Sequence, residues 1–123
     1  MLDPLSNQLD QYMTLVSVRQ KLVASNVANA DTPGYKTQDI DFESELAHAS
    51  ASQVSGASKV AGPAPLVNTV PGLRVKNDGN NVDLDREARL LAENALRFSV
   101  ASNLLRSQLK TVRMAIEGGG AAS

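Results

Sequence analysis

Cysteine and tryptophan are both absent from this 123-residue chain, and aromatic residues make up only 3% of it. Without cysteine there is no disulfide, no thiolate metal site and no thiol nucleophile. Tyr12, Tyr35, Phe42 and Phe98 are the only aromatics, so the large groups that fill a globular interior are scarce. Apolar residues still reach 42%, mostly as Ala, Val and Leu, which suits helix-on-helix contacts better than a thick core. An excess of one charge sign is missing too. Twelve basic against thirteen acidic residues leave a net charge of −1 and no cationic footprint for nucleic acid or anionic lipid. No hydrophobic run is long enough to cross a membrane. The start, Met1-Leu2-Asp3-Pro4-Leu5, has neither the basic region nor the apolar stretch of a cleaved secretory signal, so any route out of the cytoplasm is expected to be one that reads no such signal.

Residues that could carry chemistry are sparse. His48 is the only histidine and stands among Ala and Ser with no base-orienting group beside it. The Ser-rich stretches contain no nucleophile elbow, and the glycines form no phosphate-binding loop. Asp39, Asp41 and Glu43 match the first ligand positions of a calcium loop, but Ser44 replaces its glycine and Ser50 its final glutamate. No catalytic residue, cofactor or metal site is expected, and neither a nucleic acid nor a small-molecule substrate is expected as partner.

The clearest pattern lies at the C-terminal end. Leu84, Ala88, Leu91, Ala95, Phe98, Ser102, Leu105, Leu109, Val112 and Ile116 alternate spacings of four and three, and only Ser102 among them is not apolar. This predicts one helix, capped by Asp83, ended by Gly118-Gly119-Gly120 and roughly 50 Å long. Asp3-Pro4 predicts the start of a second helix that runs to about residue 29, with Leu5, Leu9, Tyr12, Val16 and Val23 on one face. Arg19 and Asn26 interrupt that face. The organisation expected is therefore an N-terminal helix in 1–30, a turn and middle segment in 31–82, and a C-terminal helix with a Gly-rich tail in 83–123.

The fold class expected is all-α, with the two long helices paired as a coiled-coil-like hairpin. Ala47 to Pro65 is too small and unpatterned to bury anything and reads as flexible or weakly ordered. Leu73-Arg74-Val75-Lys76 before Asn77-Asp78-Gly79 reads as a short strand entering the turn of a β-hairpin. A lone helix pair would leave much of both stripes uncovered, including Leu90, Val100 and Leu104, so other copies or related chains are the expected partners.

The most specific string is Ala24-Ser25-Asn26-Val27-Ala28-Asn29-Ala30-Asp31-Thr32-Pro33-Gly34-Tyr35. Thr-Pro-Gly alone is an ordinary helix stop followed by a type II turn. The whole string, without a gap, closely resembles the signature that follows the first helix in flagellar axial proteins, the rod and hook family. Within that family the proximal rod proteins of the B type look most similar. Gln38-Asp39-Ile40-Asp41-Phe42-Glu43-Ser44-Glu45-Leu46 and Asp78-Gly79-Asn80-Asn81-Val82-Asp83-Leu84-Asp85-Arg86-Glu87 resemble them as well. The resemblance covers roughly residues 5 to 46 and 77 to 119. The C type, which lengthens the loop after Asn-Ala-Asp, is the alternative.

The resemblance implies a structural subunit of the flagellar basal-body rod, its two helices forming the inner core of a tube. It implies export through the flagellar type III apparatus and a location in the rod spanning the periplasm, where the tube transmits torque and encloses the export channel. The partners implied are other copies, other proximal rod proteins, the rod-base adaptor, the MS-ring protein and the export gate. Asn26, Asn29, Thr32, Pro33, Gly34 and Tyr35 are expected to act together as an assembly element, with Gly34 at positive φ and Tyr35 offering its ring and hydroxyl to a neighbour. A helical-hairpin secretion chaperone or binding module would account for the helices but not for this string. A membrane-surface helix would use Arg86, Arg89, Arg97, Arg106, Lys110 and Arg113, but that helix lacks Tyr and Trp anchors.

Overall fold

The computed structural model describes residues 4–54 and 64–121, which form three helices and one small sheet. In chain order these are α1 (Pro4–Ala28), β1 (Gln38–Ile40), α2 (Phe42–Val54), β2 (Val67–Thr69) and α3 (Leu84–Ala121).

α1 opens on Pro4, whose fixed φ suits a first helical position and whose missing N–H would have no helical partner there. The expected Asp3 cap lies outside the described residues. α1 closes where the Asn29 N–H donates to the Ser25 carbonyl at 3.0 Å and the Asn29 side-chain amide donates to the same oxygen at 2.8 Å. These bonds satisfy a carbonyl that a helix end would leave open. At the start of α3, Asp83 Oδ1 accepts the N–H groups of Asp85 and Arg86 at 3.0 and 3.3 Å, the N-cap expected of it. α3 continues through the glycines expected to end it and reaches Ala121. A glycine stop requires a turn to positive φ, and among the described residues only Gly34, Gly72 and Gly79 make one.

The start of α3 lies beside the end of α1, and Asn94 Nδ2 meets Gln20 Oε1 at 3.5 Å, so the two helices run antiparallel. α3 has 38 residues against 25 in α1, and its end extends past its partner by about 20 Å. Every residue from Leu109 to Gly118 is exposed.

The middle contains one helix more than the sequence suggested. Ala and Glu favour helix, Asp41 Oδ1 caps α2 by accepting the Ser44 N–H at 3.3 Å, and Phe42 and Leu46, one turn apart, anchor it on the core. Residues 55–63 of the stretch expected to be flexible lie outside the described residues. β1 and β2 pair antiparallel, Gln38 opposite Thr69 and Ile40 opposite Val67. The strand expected at Leu73–Lys76 is absent; only its last residue is bonded into the turn that follows, the Lys76 N–H donating to the Asn80 carbonyl at 2.8 Å and the Gly79 N–H to the Lys76 carbonyl at 2.9 Å.

Leu15, Val16, Ile40 and Phe42 form the core, with Tyr12, Val18, Leu22 and Leu46 packed against it. Of the α1 stripe, Val16 and Val23 are buried, Leu9 and Tyr12 half-buried and Leu5 exposed.

On α3 the expected seam is turned away from α1. Leu84, Leu91, Phe98, Leu109, Val112 and Ile116 are exposed, from 41% at Val112 to 70% at Ile116, while Leu105 is half-buried. The face against α1 is made by buried Glu87, Asn94 and Ala101, with Leu90, Arg97 and Gln108 half-buried beside them. These positions follow the stripe by three residues, a rotation of roughly 60°. The apolar stripe is thus left outside, and a largely polar face meets α1.

Candidate functional site

The turn after α1 is bound to the loop that precedes α3. Asn80, with no exposed surface, donates both amide hydrogens across the gap, to the carbonyls of Asn29 at 2.8 Å and Thr32 at 2.9 Å. Its Oδ1 turns back to accept the Val82 N–H at 2.8 Å, and its own N–H is held by Asp78 Oδ1 at 3.0 Å. Asn81 works beside it: its Oδ1 accepts the buried Thr37 N–H at 2.6 Å and its N–H donates to Tyr35 at 3.2 Å. Lys76 Nζ donates to the Ala30 carbonyl and Lys36 Nζ to the Gly79 carbonyl, so each side sends one lysine to the other. This clasp joins two segments far apart in sequence and encloses their amides, and enclosed amides hold only when partnered.

Two glycines allow the approach. Gly34 and Gly79 have φ of 76° and 86°, and a Cβ on Gly79 would stand 3.3 Å from the Gly34 Cα. Gly79→Ala is expected to lower stability by about 1–2 kcal/mol, from left-handed strain plus this contact. A thermal melt measures it; an unchanged midpoint would show that the two backbones can part without cost.

Of the residues expected to act together in the turn, Asn26, Asn29, Thr32 and Tyr35 are joined by hydrogen bonds. Asn26, only 1% exposed, exchanges bonds with the Gln38 backbone, its Nδ2 donating to the carbonyl at 2.9 Å and its Oδ1 accepting the N–H at 3.1 Å. The Tyr35 hydroxyl donates to the same Oδ1 at 2.9 Å, and Thr32 Oγ1 donates to Asn29 Oδ1 at 3.1 Å. The hydroxyl expected to serve a neighbour is thus engaged within the chain. Thr32, Pro33 and Gly34 form the exposed rim of the turn.

Arg19, which broke the α1 stripe, has its purpose one layer away. Its Nε and Nη2 grip Asp39 at 3.1 and 3.0 Å, and Arg86 Nη2 reaches the same carboxylate at 2.6 Å while its Nη1 holds Glu87 at 2.8 Å. One carboxylate so ties α1, β1 and the start of α3 together. Arg97 lies over the Phe42 ring at 4.7 Å, with Tyr12 edge-on to that ring at 5.5 Å. The carboxylates weighed as calcium ligands have these other duties: Asp39 is ion-paired, Asp41 caps α2 and Glu43 lies in its first turn. Among the described residues no cluster of His, Asp and Glu could hold a metal. An open groove of about 410 Å³ lies beside Phe42, lined also by Tyr12, Leu46 and Arg97.

The contacts made by Asn80, Asn81, Arg19, Asp39 and Arg86 were not anticipated from the sequence. The signal for the first two was a pair of Asn residues directly after an Asp-Gly turn; for Arg19 it was the break in an apolar stripe.

Residues 13–36, which end on this turn, match the family described as flagella basal body rod protein. The flagellar basal body rod protein FlgB of Salmonella typhimurium is 37% identical, the match covering 97% of this chain and 99% of that one. FlgB of Escherichia coli K12 is 33% identical with the same coverage, and FlgB of Borrelia hermsii is 32% identical over 87% of this chain and 91% of its own.

Proposed function

Since the chain belongs to the FlgB family of flagellar basal body rod proteins, we propose that the exposed apolar stripe of α3 is the surface by which it is built into the proximal rod as a structural subunit. The observation that carries this is the run from Leu84 through Leu91, Phe98, Leu109 and Val112 to Ile116, more apolar surface than a solitary helix pair would leave in water. Val100 and Leu104, also exposed, extend it to a second flank of the helix. The neighbours proposed are other copies and other proximal rod proteins, with the rod-base adaptor and the MS-ring protein at the base. The turn from Asn26 to Tyr35 enters assembly by fixing where α3 begins, and its rim at Thr32, Pro33 and Gly34 faces outward for a neighbour.

Passage through the flagellar type III apparatus, by way of its export gate, belongs to the same proposal. Seven apolar residues are buried among those described, so little burial opposes unfolding for transit. In place, the rod would span the periplasm, carry torque and enclose the channel for later subunits. Deleting the gene in its own host and imaging the basal bodies tests this. Rods are expected to be missing, and to return with the plasmid-borne gene and contain the chain; complete rods in the deletion strain would refute the assignment.

A further inference from the structure

α3 offers α1 two faces, and the one it uses is the poorer by burial. The face against α1 encloses atoms with no hydrogen-bond partner in the chain, namely Glu87 Oε2, Asn94 Oδ1 and Arg97 Nη1, while the apolar stripe is exposed. Desolvation alone favours the opposite rotation, which leaves these polar groups solvated and buries the leucines. Something must hold the helix against that preference. Two arginines on α3 reach off the helix to fixed points. Arg86 bridges Asp39 and Glu87 at 2.6 and 2.8 Å, Asp39 being clamped in turn by Arg19 on α1. Arg97 lies on the Phe42 ring at 4.7 Å. They are separated by eleven residues, about three helical turns, so both project from one line along the helix. A single tether leaves a helix free to pivot; two on one line define its rotation.

We propose that Arg86 and Arg97 form a rotational lock which keeps the polar face of α3 on α1 and so presents the apolar stripe outward. The lock is a property of the single chain. Only its use, displaying the stripe to neighbouring subunits, rests on the rod assignment.

The absence of cysteine makes the test clean. Single cysteines introduced by Phe98→Cys, on the stripe, or Ala101→Cys, on the buried face, are labelled with a maleimide in the full-length chain. With the lock intact, position 98 should react at least tenfold faster than position 101. Combining each reporter with Arg86→Leu, Glu87→Gln and Arg97→Met removes both tethers, leaves no unpaired charge at position 87 and keeps the buried face polar, so that the preference for the other rotation remains. The order of reactivity should then reverse while helicity by circular dichroism is kept. An unchanged order with helicity kept overturns the lock. Equal, fast labelling with lost helicity also overturns it, because the arginines would then supply stability rather than rotation. A second background, Gln20→Leu with Asn94→Leu, makes the seam apolar but leaves the arginines. The original order should persist there, and a reversal would assign the phase to seam polarity and overturn the lock too. Rod formation is scored separately, so a rod that assembles normally from an unlocked chain would refute only the proposed use.

Discussion

Asn80→Ala is expected to lower the stability of the chain by about 2–3 kcal/mol, a fall in melting midpoint on the order of 10 °C for a protein of this size. What each partner keeps sets the size of the loss. The Asn29 carbonyl still receives the Thr32 N–H at 3.1 Å, and the Thr32 carbonyl still receives the Tyr35 N–H at 3.2 Å, so neither acceptor is orphaned outright. The Val82 N–H, buried with its residue at 4% exposure, loses the one acceptor that holds it. An enclosed donor without a partner costs about 1–3 kcal/mol, the dominant share of the loss. Asn80→Asp should be no better, since it keeps the acceptor for Val82 but aims negative charge at two carbonyl oxygens. Asn77→Ala, an exposed neighbour in the same turn, is the control and should change stability by less than about 0.5 kcal/mol. Equal melts for Asn80→Ala and Asn77→Ala would mean that the clasp contributes nothing.

Leu109→Asp should leave the isolated chain folded and yet abolish the rod. Leu109 is 47% exposed and opens the stretch of α3 that is exposed through Gly118, so the substitution removes little internal packing, and its effect on a thermal melt should stay within about 0.5 kcal/mol. In an assembled rod the same side chain would meet an apolar neighbour, where an unpaired carboxylate costs several kcal/mol for each of many repeated contacts. Ala101→Asp gives the converse. At 2% exposure in the α1–α3 interface, it should unfold the chain before assembly is reached. The two measurements are the melt of purified protein and the fraction of cells with complete basal bodies at matched abundance. Motile cells carrying Leu109→Asp would show that this stripe is not the assembly surface.

Both long helices were readable because local rules suffice for them. Pro4 at one start, Asp83 as the cap of the other and a stripe of three-and-four spacing are short-range signals, and the structure keeps each within a few residues. α2 was missed because an Ala/Ser-rich stretch lacks a stripe, and only Phe42 and Leu46 are needed to anchor it. Positive φ at Gly34 was legible from Pro-Gly. The partner of that turn was not, because Asn80 lies some fifty positions away and an amide side chain carries no mark of which carbonyl it will reach.

By itself the sequence determined that this is an all-α chain with two long amphipathic helices, and its turn string and near-full-length relatives placed it in the FlgB family of rod proteins. Only the tertiary structure decided which way α3 faces. Periodicity states that a helix has an apolar side, but not whether its own chain or a neighbour will cover it. That depends on long-range contacts, from Arg86 to Asp39 and from Arg97 to Phe42, which as the proposed lock hold the stripe outward against the pull of its own burial.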